Sequence, residues 1–234
     1  MRKIVKDGNV SVCGLRGRGK DMLIANVIWR RKLPYISNVD YGGEWSPLDL
    51  TEFDCGKNTY KDFINGTIKP YVYPYPDKVD IYASDAGIYF PSHFCNELNK
   101  AYPYFPTFQA LTRQLGQCNF HFNSQNLNRV WDKIREQSDT YIMCNWCIVL
   151  FGFVLQRVTI YEDYDSAVKR VPPFRIKKPL FNPDRRFQWE MAYQNYLISH
   201  GKIKPKILLY RNRSNYDTRI FKELLANGKL PDIP

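Results

Sequence analysis

Close to the start of the chain, the strand-like run Val10-Ser11-Val12-Cys13 leads into Gly14-Leu15-Arg16-Gly17-Arg18-Gly19-Lys20-Asp21, a glycine, a four-residue gap and a Gly-Lys pair. A bare pattern of this kind turns up by chance in roughly one chain in fifteen of this length. Its flanks make it informative, because Val10 to Cys13 reads as a strand and Met22 to Trp29 as a helix. Glycines let successive backbone N–H groups turn inward, and a helix starting near Gly19 adds the positive end of its dipole. Together they make a cradle for a polyphosphate. Gly14, Arg16, Gly17, Arg18, Gly19, Lys20 and Asp21 are therefore the expected nucleotide-contacting residues, with Lys20 reaching the β- and γ-phosphates. A Ser or Thr hydroxyl that helps hold Mg²⁺ normally stands where this chain has Asp21.

A chain of 234 residues can bury one substantial α/β core. Its net charge of +11 is unevenly placed, since residues 165–234 carry 15 basic and 6 acidic side chains. A near-neutral body with a basic C-terminal third points to a polyanionic partner for that third. Cys13, Cys55, Cys95, Cys118, Cys144 and Cys147 are scattered, several of them in apolar runs, which fits a reduced cytosolic protein better than a disulfide framework. Cys144-x-x-Cys147 has no second pair at zinc spacing, and His93, His121 and His200 lie far from it in sequence. The N-terminus runs straight into a strand with no signal peptide, and the apolar run Cys144 to Leu155 is too short to span a bilayer, so a soluble protein is expected.

Further along, Arg30-Arg31-Lys32 suits a helix C-terminus, and Tyr35 to Val39 reads as a second strand completing a βαβ unit. Residues 42–76 are irregular, with a short helix at 60–64 and the tyrosines Tyr71, Tyr73 and Tyr75 packing on a sheet edge or stacking on bases. Val79 to Ala83 is the next strand, ending at Ser84-Asp85-Ala86-Gly87. Helices are expected at 107–115 and 127–137, and strands at 119–123 and 140–144. Residues 147–155 and 157–164 read as a hairpin around Gly152-Phe153. Arg185 to Ile198 is a helix, 217–226 a last one, and the basic stretch Lys202 to Arg213 between them is expected to order in part only on binding.

A phosphate loop after the first strand, a strand ending in an acid, and a strand ending in Ser124-Gln125 follow in the order of a hydrolase-type nucleoside triphosphatase. At these residues the chain resembles the zonula occludens toxin-like ATPases of filamentous phages and the viral genome-packaging ATPases of the FtsK-HerA superfamily. The matching stretches are Gly14 to Asp21, Ile81 to Pro91, Arg113 to Gln125, Val130 to Arg135 and Tyr161 to Ser166, spanning about residues 1–166. The resemblance implies an α/β P-loop fold with a mostly parallel sheet flanked by helices. The basic remainder, 167–234, is set apart as a partly helical C-terminal extension.

Carried over residue by residue, the resemblance makes Asp85 the acid that polarises water, Gln125 a sensor at a strand end, and Arg113 or Arg135 the stabiliser of transferred charge. Two registrations remain open for the second motif. In one, Asp85 is the catalytic acid and Ser84 stands where an Mg²⁺-associated Asp is usual, so that Asp21 and Ser84 have exchanged a carboxylate and a hydroxyl across the metal. In the other, Asp85 itself is the metal-linked acid and Ala86 follows where a Glu is usual. Asp21, Ser84 and Asp85 are the candidate Mg²⁺ residues.

The resemblance implies an ATP- and Mg²⁺-dependent motor that forms a homo-oligomeric ring, commonly of six subunits. It would move DNA through phosphate contacts that carry no sequence information. Such a protein is expected in the host cytoplasm or with the virion, with a capsid or membrane-protein partner. A soluble packaging ATPase is the primary expectation. The alternatives are an extrusion ATPase working with a membrane partner, a small-molecule kinase using Arg185-Arg186 in a lid, and a virion protein that binds nucleotide and DNA without turnover.

Overall fold

The computed structural model describes residues 8–48, 79–101 and 119–213. Its strands are β1 (Val10–Cys13), β2 (Tyr35–Ser37), β3 (Trp45–Pro47), β4 (Asp80–Ala83), β5 (Asn119–Ser124), β6 (Thr140–Leu150), β7 (Phe153–Tyr161) and β8 (Ile203–Arg211). The helices are α1 (Lys20–Arg31), α2 (Ala86–Tyr89), α3 (Cys95–Ala101), α4 (Asp132–Arg135), α5 (Tyr164–Lys169) and α6 (Pro183–His200). The strands form one sheet in the order β3-β2-β4-β5-β1-β6-β7-β8.

The sheet is parallel over only part of its width. From β3 to β6 all neighbours run parallel, while β6 with β7 and β7 with β8 are antiparallel. The parallel strands β1, β4 and β5 are buried along their whole length, as a sheet covered on both faces requires. Alternation sends Val10 and Val12 against Leu23, Ile24 and Ile28 of α1 on one face. Ile81, Ala83, Phe120 and Phe122 pack with Trp131 and Ile134 on the other. Burying each such side chain stabilises the fold by about 1.5–3 kcal/mol.

The expected helix over 127–137 is broken. Residues Leu127–Arg129 form a 3₁₀ turn, Val130 pairs with Pro91 as an isolated bridge, the Trp131 N–H donates to the Phe90 carbonyl at 2.7 Å, and only then does α4 begin. Fully buried Val130 and Trp131 gain more from the edge of the α2 turn than from continuing a helix. The basic stretch after Gly201 is also ordered, as β8, which pairs with β7 from Tyr161↔Ile203 to Phe153↔Arg211. Leu208 and Tyr210 face the core while Ile207 and Leu209 face out, an alternation that the lysines obscure. The basic segment is thus in part a strand of the main sheet, and α6, capped by the Asn182 side chain with Pro183 in its first turn, precedes it. The expected helices at 60–64, 107–115 and 217–226, and Tyr71, Tyr73 and Tyr75, lie outside the described residues. No helix among the described residues is long and apolar enough to cross a membrane.

A buried polar cluster ties α1 to the sheet. Asp80, 1% exposed, accepts from Arg31 through both carboxylate oxygens, from Asn119 Nδ2 at 2.8 Å and from the Tyr82 hydroxyl at 3.4 Å. His121 stacks on Tyr82 with centroids 4.8 Å apart, and its Nε2 is buried without a hydrogen bond. Burial lowers the His121 pKa to about 4, against a smaller upward pull from Asp80. The native state therefore holds it neutral, and below an ordinary histidine pKa of about 6.5 only the unfolded chain takes up the proton. Stability from this group is intact above pH 6.5 and falls as the pH drops toward 4. Urea unfolding across this range will show a loss of roughly 1 kcal/mol per pH unit that His121→Phe removes.

Candidate nucleotide site

The glycine loop runs from the C-terminal end of β1 to the first turn of α1, and its geometry follows from the absence of side chains at two points. Gly19 caps the helix in a left-handed conformation, φ 76°, and a Cβ there would stand 2.7 Å from Cys147 Sγ and 3.0 Å from Gln156 Nε2. At Gly14, φ 152°, a Cβ would stand 2.7 Å from the Cys144 carbonyl. The loop is thus pressed against β6 and β7. Gln156, fully buried, donates from Nε2 to the carbonyls of Arg18 at 2.8 Å and Gly19 at 3.0 Å, and its Oε1 accepts from the Tyr210 hydroxyl at 2.7 Å. Lys20 is 6% exposed and its ammonium folds onto the Leu15 carbonyl at 3.5 Å, within the loop that would hold a phosphate. Arg16 is exposed and Arg18 half-buried.

The second cluster gathers at the C-terminal ends of β4 and β5. Asn38 holds the Ser84 backbone from both sides, donating to its carbonyl at 2.9 Å and accepting from its N–H at 2.7 Å. Asp85 follows in a left-handed conformation, φ 49°, and its N–H donates to Asn123 Oδ1 at 2.8 Å. This bond fixes the orientation of the Asn123 amide. Its nitrogen then donates one hydrogen to Asp21 Oδ1 at 2.8 Å and the other to Ser84 Oγ at 3.4 Å. The Tyr41 hydroxyl bonds Ser84 Oγ and donates to Asp21 Oδ1 at 3.2 Å. With the phenol proton given to Asp21, Ser84 is the donor to Tyr41, so Asp21 Oδ1 collects one hydrogen from Tyr41 and one from Asn123.

Asp21, Ser84 and Asp85 are thus brought together, across strand β5, with Lys20 close by. Burial first, and then the like charge of Asp21, raise the Asp85 carboxyl above the ordinary carboxylate value, while Lys20 pulls it down. One strand separates β1 from β4, which sets the loop and the acid about 10 Å apart, room for a phosphoryl group and a water. Among the described residues no three His, Cys, Asp or Glu side chains form a metal cluster. Mg²⁺ bound with a nucleotide needs only one or two protein oxygens, the phosphates and waters supplying the rest. Asp21 accepts through Oδ1 alone, and its Oδ2 and the Asp85 carboxylate, two like charges near one another, are a donor set that fits a divalent cation. Ser84, 1% exposed, lies behind them under Tyr41 and Asn123.

The other expected residues fall elsewhere. Gln125 is exposed in the turn after β5, while Asn123, two positions earlier, supplies the amide that reaches the cluster. Arg135 donates to the carbonyls of Val130 at 3.2 Å and Asn128 at 3.5 Å and lies 5.2 Å from the Tyr164 ring centroid. Arg113 lies outside the described residues. Tyr41, Asn38, Asn123 and Gln156 were not singled out by sequence; Asn123 stood in the quoted stretch, and alternation along β5 could have marked it as sharing the strand-end face with Gln125.

Strand, glycine loop and helix, with an acid two strands away at the same edge of the sheet, make this an α/β fold of the P-loop type. Among solved structures it is similar to the genome packaging NTPase of Sulfolobus turreted icosahedral virus 2 in complex with AMP, at 16% identity and a TM-score of 0.40, over 75% of this chain and 98% of that one. It is also similar to the N-terminal domain of zonular occludens toxin from Neisseria meningitidis, at 9% identity and a TM-score of 0.40, over 93% of this chain and 98% of that one. A third is EssC (ATPases 2 and 3) from Geobacillus thermodenitrificans, at 13% identity and a TM-score of 0.43, over 96% of this chain and 43% of that one. The first two are of the kinds named by the sequence resemblance. No protein-family model matches the chain, and no curated protein matches it.

Removing the buried Gln156 amide tests its hold on the loop. Gln156→Leu strands the Arg18 carbonyl and the Tyr210 hydroxyl, leaves the Gly19 carbonyl with the Leu23 N–H alone, and will lower stability by about 2–3 kcal/mol. Tyr210→Phe leaves one acceptor unpaired and will lower it by about 1 kcal/mol. In urea unfolding the double variant will be no less stable than Gln156→Leu alone, because the second change then removes only an orphaned hydroxyl.

Proposed function

We propose that this chain is a Mg²⁺-dependent ATPase that drives DNA movement, a genome-packaging type of motor. The observation that carries the reading is the convergence of Lys20 and Asp21, at the start of α1, with Ser84 and Asp85, just beyond β4, where Asn123 and Tyr41 tie Asp21 to Ser84. The Gly14 and Arg18 N–H groups donate to the Ser124 and Leu15 carbonyls at 3.3 Å, and the N–H groups of Arg16, Gly17, Gly19, Lys20 and Asp21 at the start of α1 bind the triphosphate. Lys20 exchanges the Leu15 carbonyl for phosphate oxygens. Asp21 and Asp85 would hold the metal ion, with Ser84 behind them fixing Asp21 through Tyr41. When bound, the ion neutralises charge that builds on the transferred phosphoryl group.

In the other registration Asp85 is free of the ion and orients the attacking water and accepts its proton, a role that suits a carboxylate raised by burial. Asn123 holds the Asp85 backbone and Asp21 in one register, and Gln125, exposed beside it, is placed to meet a ligand or a neighbouring subunit. Arg135 is committed to its own turn, so the residue that stabilises transferred charge is Arg113 or an arginine from a second copy in a homo-oligomeric ring, six-membered in this reading. DNA is the partner implied by the basic C-terminal third, where Arg175, Lys177, Lys178, Arg185 and Arg186 are all exposed. A capsid or membrane-protein partner and a cytoplasmic or virion location belong to the same proposal. So does the division at residue 166 into an ATPase domain and a basic extension, with β8 returning to complete the sheet.

Phosphate release measured with and without single- and double-stranded DNA, alongside solution mass, tests the reading. The expected result is DNA-stimulated hydrolysis by an oligomer, falling at least 100-fold in Lys20→Ala and in Asp85→Asn. Asp21→Ser will abolish turnover and the added Ser84→Asp will restore part of it, because the carboxylate then stands on the other side of the Tyr41 and Asn123 donors. A double variant no better than Asp21→Ser would overturn the exchanged-ligand arrangement, and Mg-ATP binding with no hydrolysis in any condition would overturn the motor.

A further inference from the structure

A second cavity, of about 640 Å³, opens between the C-terminal half of α1, the turn after β2 and the end of β8. Its volume is that of a small-molecule site. Among the described residues Lys32, Arg211 and Arg213 line it against a single acid, Glu44, so their field favours an anion. Trp29 gives it a flat aromatic wall, 45% exposed, over which the Arg213 guanidinium carbon stands 3.4 Å from the ring centroid. That is the spacing of stacked planes. Opposite, Gly42 and Gly43 take φ of 84° and 100°, and a Cβ at either would meet no atom of the described residues within 4 Å. The rim is also built: the Tyr35 hydroxyl, kept protonated by burial that pushes it up to about 12, donates to the Gly42 carbonyl or Asp40 and accepts from the Tyr41 N–H at 2.8 Å. Tyr41 is the wall shared with the Asp21 and Ser84 cluster.

We propose that this cavity is a binding site for a nucleoside phosphate, the base replacing the Arg213 guanidinium on the Trp29 face and the displaced Arg213 holding the phosphate with Arg211 and Lys32. An aromatic face and guanidinium donors fit the two halves of such a ligand, and neither an aliphatic nor a cationic one matches both. The occupant is either a free nucleotide or one residue of a single strand. The site rests on the nucleic-acid part of the function proposed above and not on hydrolysis.

The test is binding of dTMP by equilibrium dialysis and of a fluorescein-labelled 15-residue oligothymidylate by anisotropy, both to the Lys20→Ala chain, whose phosphate loop is disabled. The expected result is binding of one or both probes, weakened about tenfold by Trp29→Ala and by Arg213→Ala and largely kept by Trp29→Phe. For the oligonucleotide, Arg213→Ala will also cut the slope of log K against log salt by about 0.7. Binding of dTMP alone assigns the cavity to free nucleotide, and binding of the oligonucleotide to a strand. Trp29 lies at the surface, so its variants will keep the parental melting temperature; should Trp29→Ala not fold, Arg213→Ala and its salt slope decide. Equal affinity in all variants, or no binding of either probe at low salt, overturns the proposal. Oligonucleotide binding that ignores Trp29 and Arg213 would do so while leaving a DNA motor standing.

Discussion

A loop that turns its N–H groups inward toward a phosphate turns its carbonyls outward, and those carbonyls need donors from elsewhere in the protein. Here one buried amide reaches two of them. Gln156 bonds the carbonyls of Arg18 and Gly19 and is itself oriented by Tyr210, so the loop is held by β7 and β8, the antiparallel strands beyond the parallel part of the sheet. The tight approach of Gly14 and Gly19 to β6 and β7 follows from the same contact, because a side chain at either glycine would push the loop off its support. The segment that supplies Tyr210 belongs to the basic third of the sequence. Its strand is therefore part of what shapes the nucleotide loop, and the charges it carries are fixed relative to that loop.

The acid cluster is organised on the same principle, with donors assigned so that each buried polar group has a partner. Asn123 is oriented by the Asp85 N–H, and this leaves both of its amide hydrogens for Asp21 and Ser84. Tyr41 completes the set from the turn after β2. A carboxylate and a hydroxyl that stand in unusual positions of their motifs therefore meet across two shared donors.

How far the sequence could be read depended on whether a residue's neighbours were local. The loop, β1, α1, β4 and β5 follow from short runs whose periodicity and glycines act within a few residues, and Lys20, Asp21, Ser84 and Asp85 came with them. Tyr41, Asn38, Asn123 and Gln156 act on residues 20 to 138 positions away, and nothing beside them in sequence marks that reach. The single helix expected over 127–137 failed for the same reason, since Val130 and Trp131 are claimed by Phe90 and Pro91 across the sheet edge. β8 was hidden by Lys204 and Lys206, which occupy the same face as the buried Leu208 and Tyr210 and so mask the apolar alternation. Arg135 looked free to reach a ligand because its carbonyl partners and Tyr164 could not be foreseen.

Placing a carboxylate in the first turn of α1 raises an electrostatic question, because Asp21 adds negative charge beside the site of a polyphosphate. Several features of the loop offset it. The helix N-terminus favours a negative side chain in its first turn, and the two hydrogen bonds to Oδ1 spread the charge into Tyr41 and Asn123. Lys20 lies next to it, and two further cations, Arg16 and Arg18, stand in the loop where only backbone is needed for a turn. A loop with a neutral hydroxyl at position 21 would have one negative charge fewer to balance. Arg16 and Arg18 therefore add positive charge to the same short loop to which Asp21 adds a negative one, so that the segment Gly14 to Asp21, with Lys20, carries a net positive charge of two.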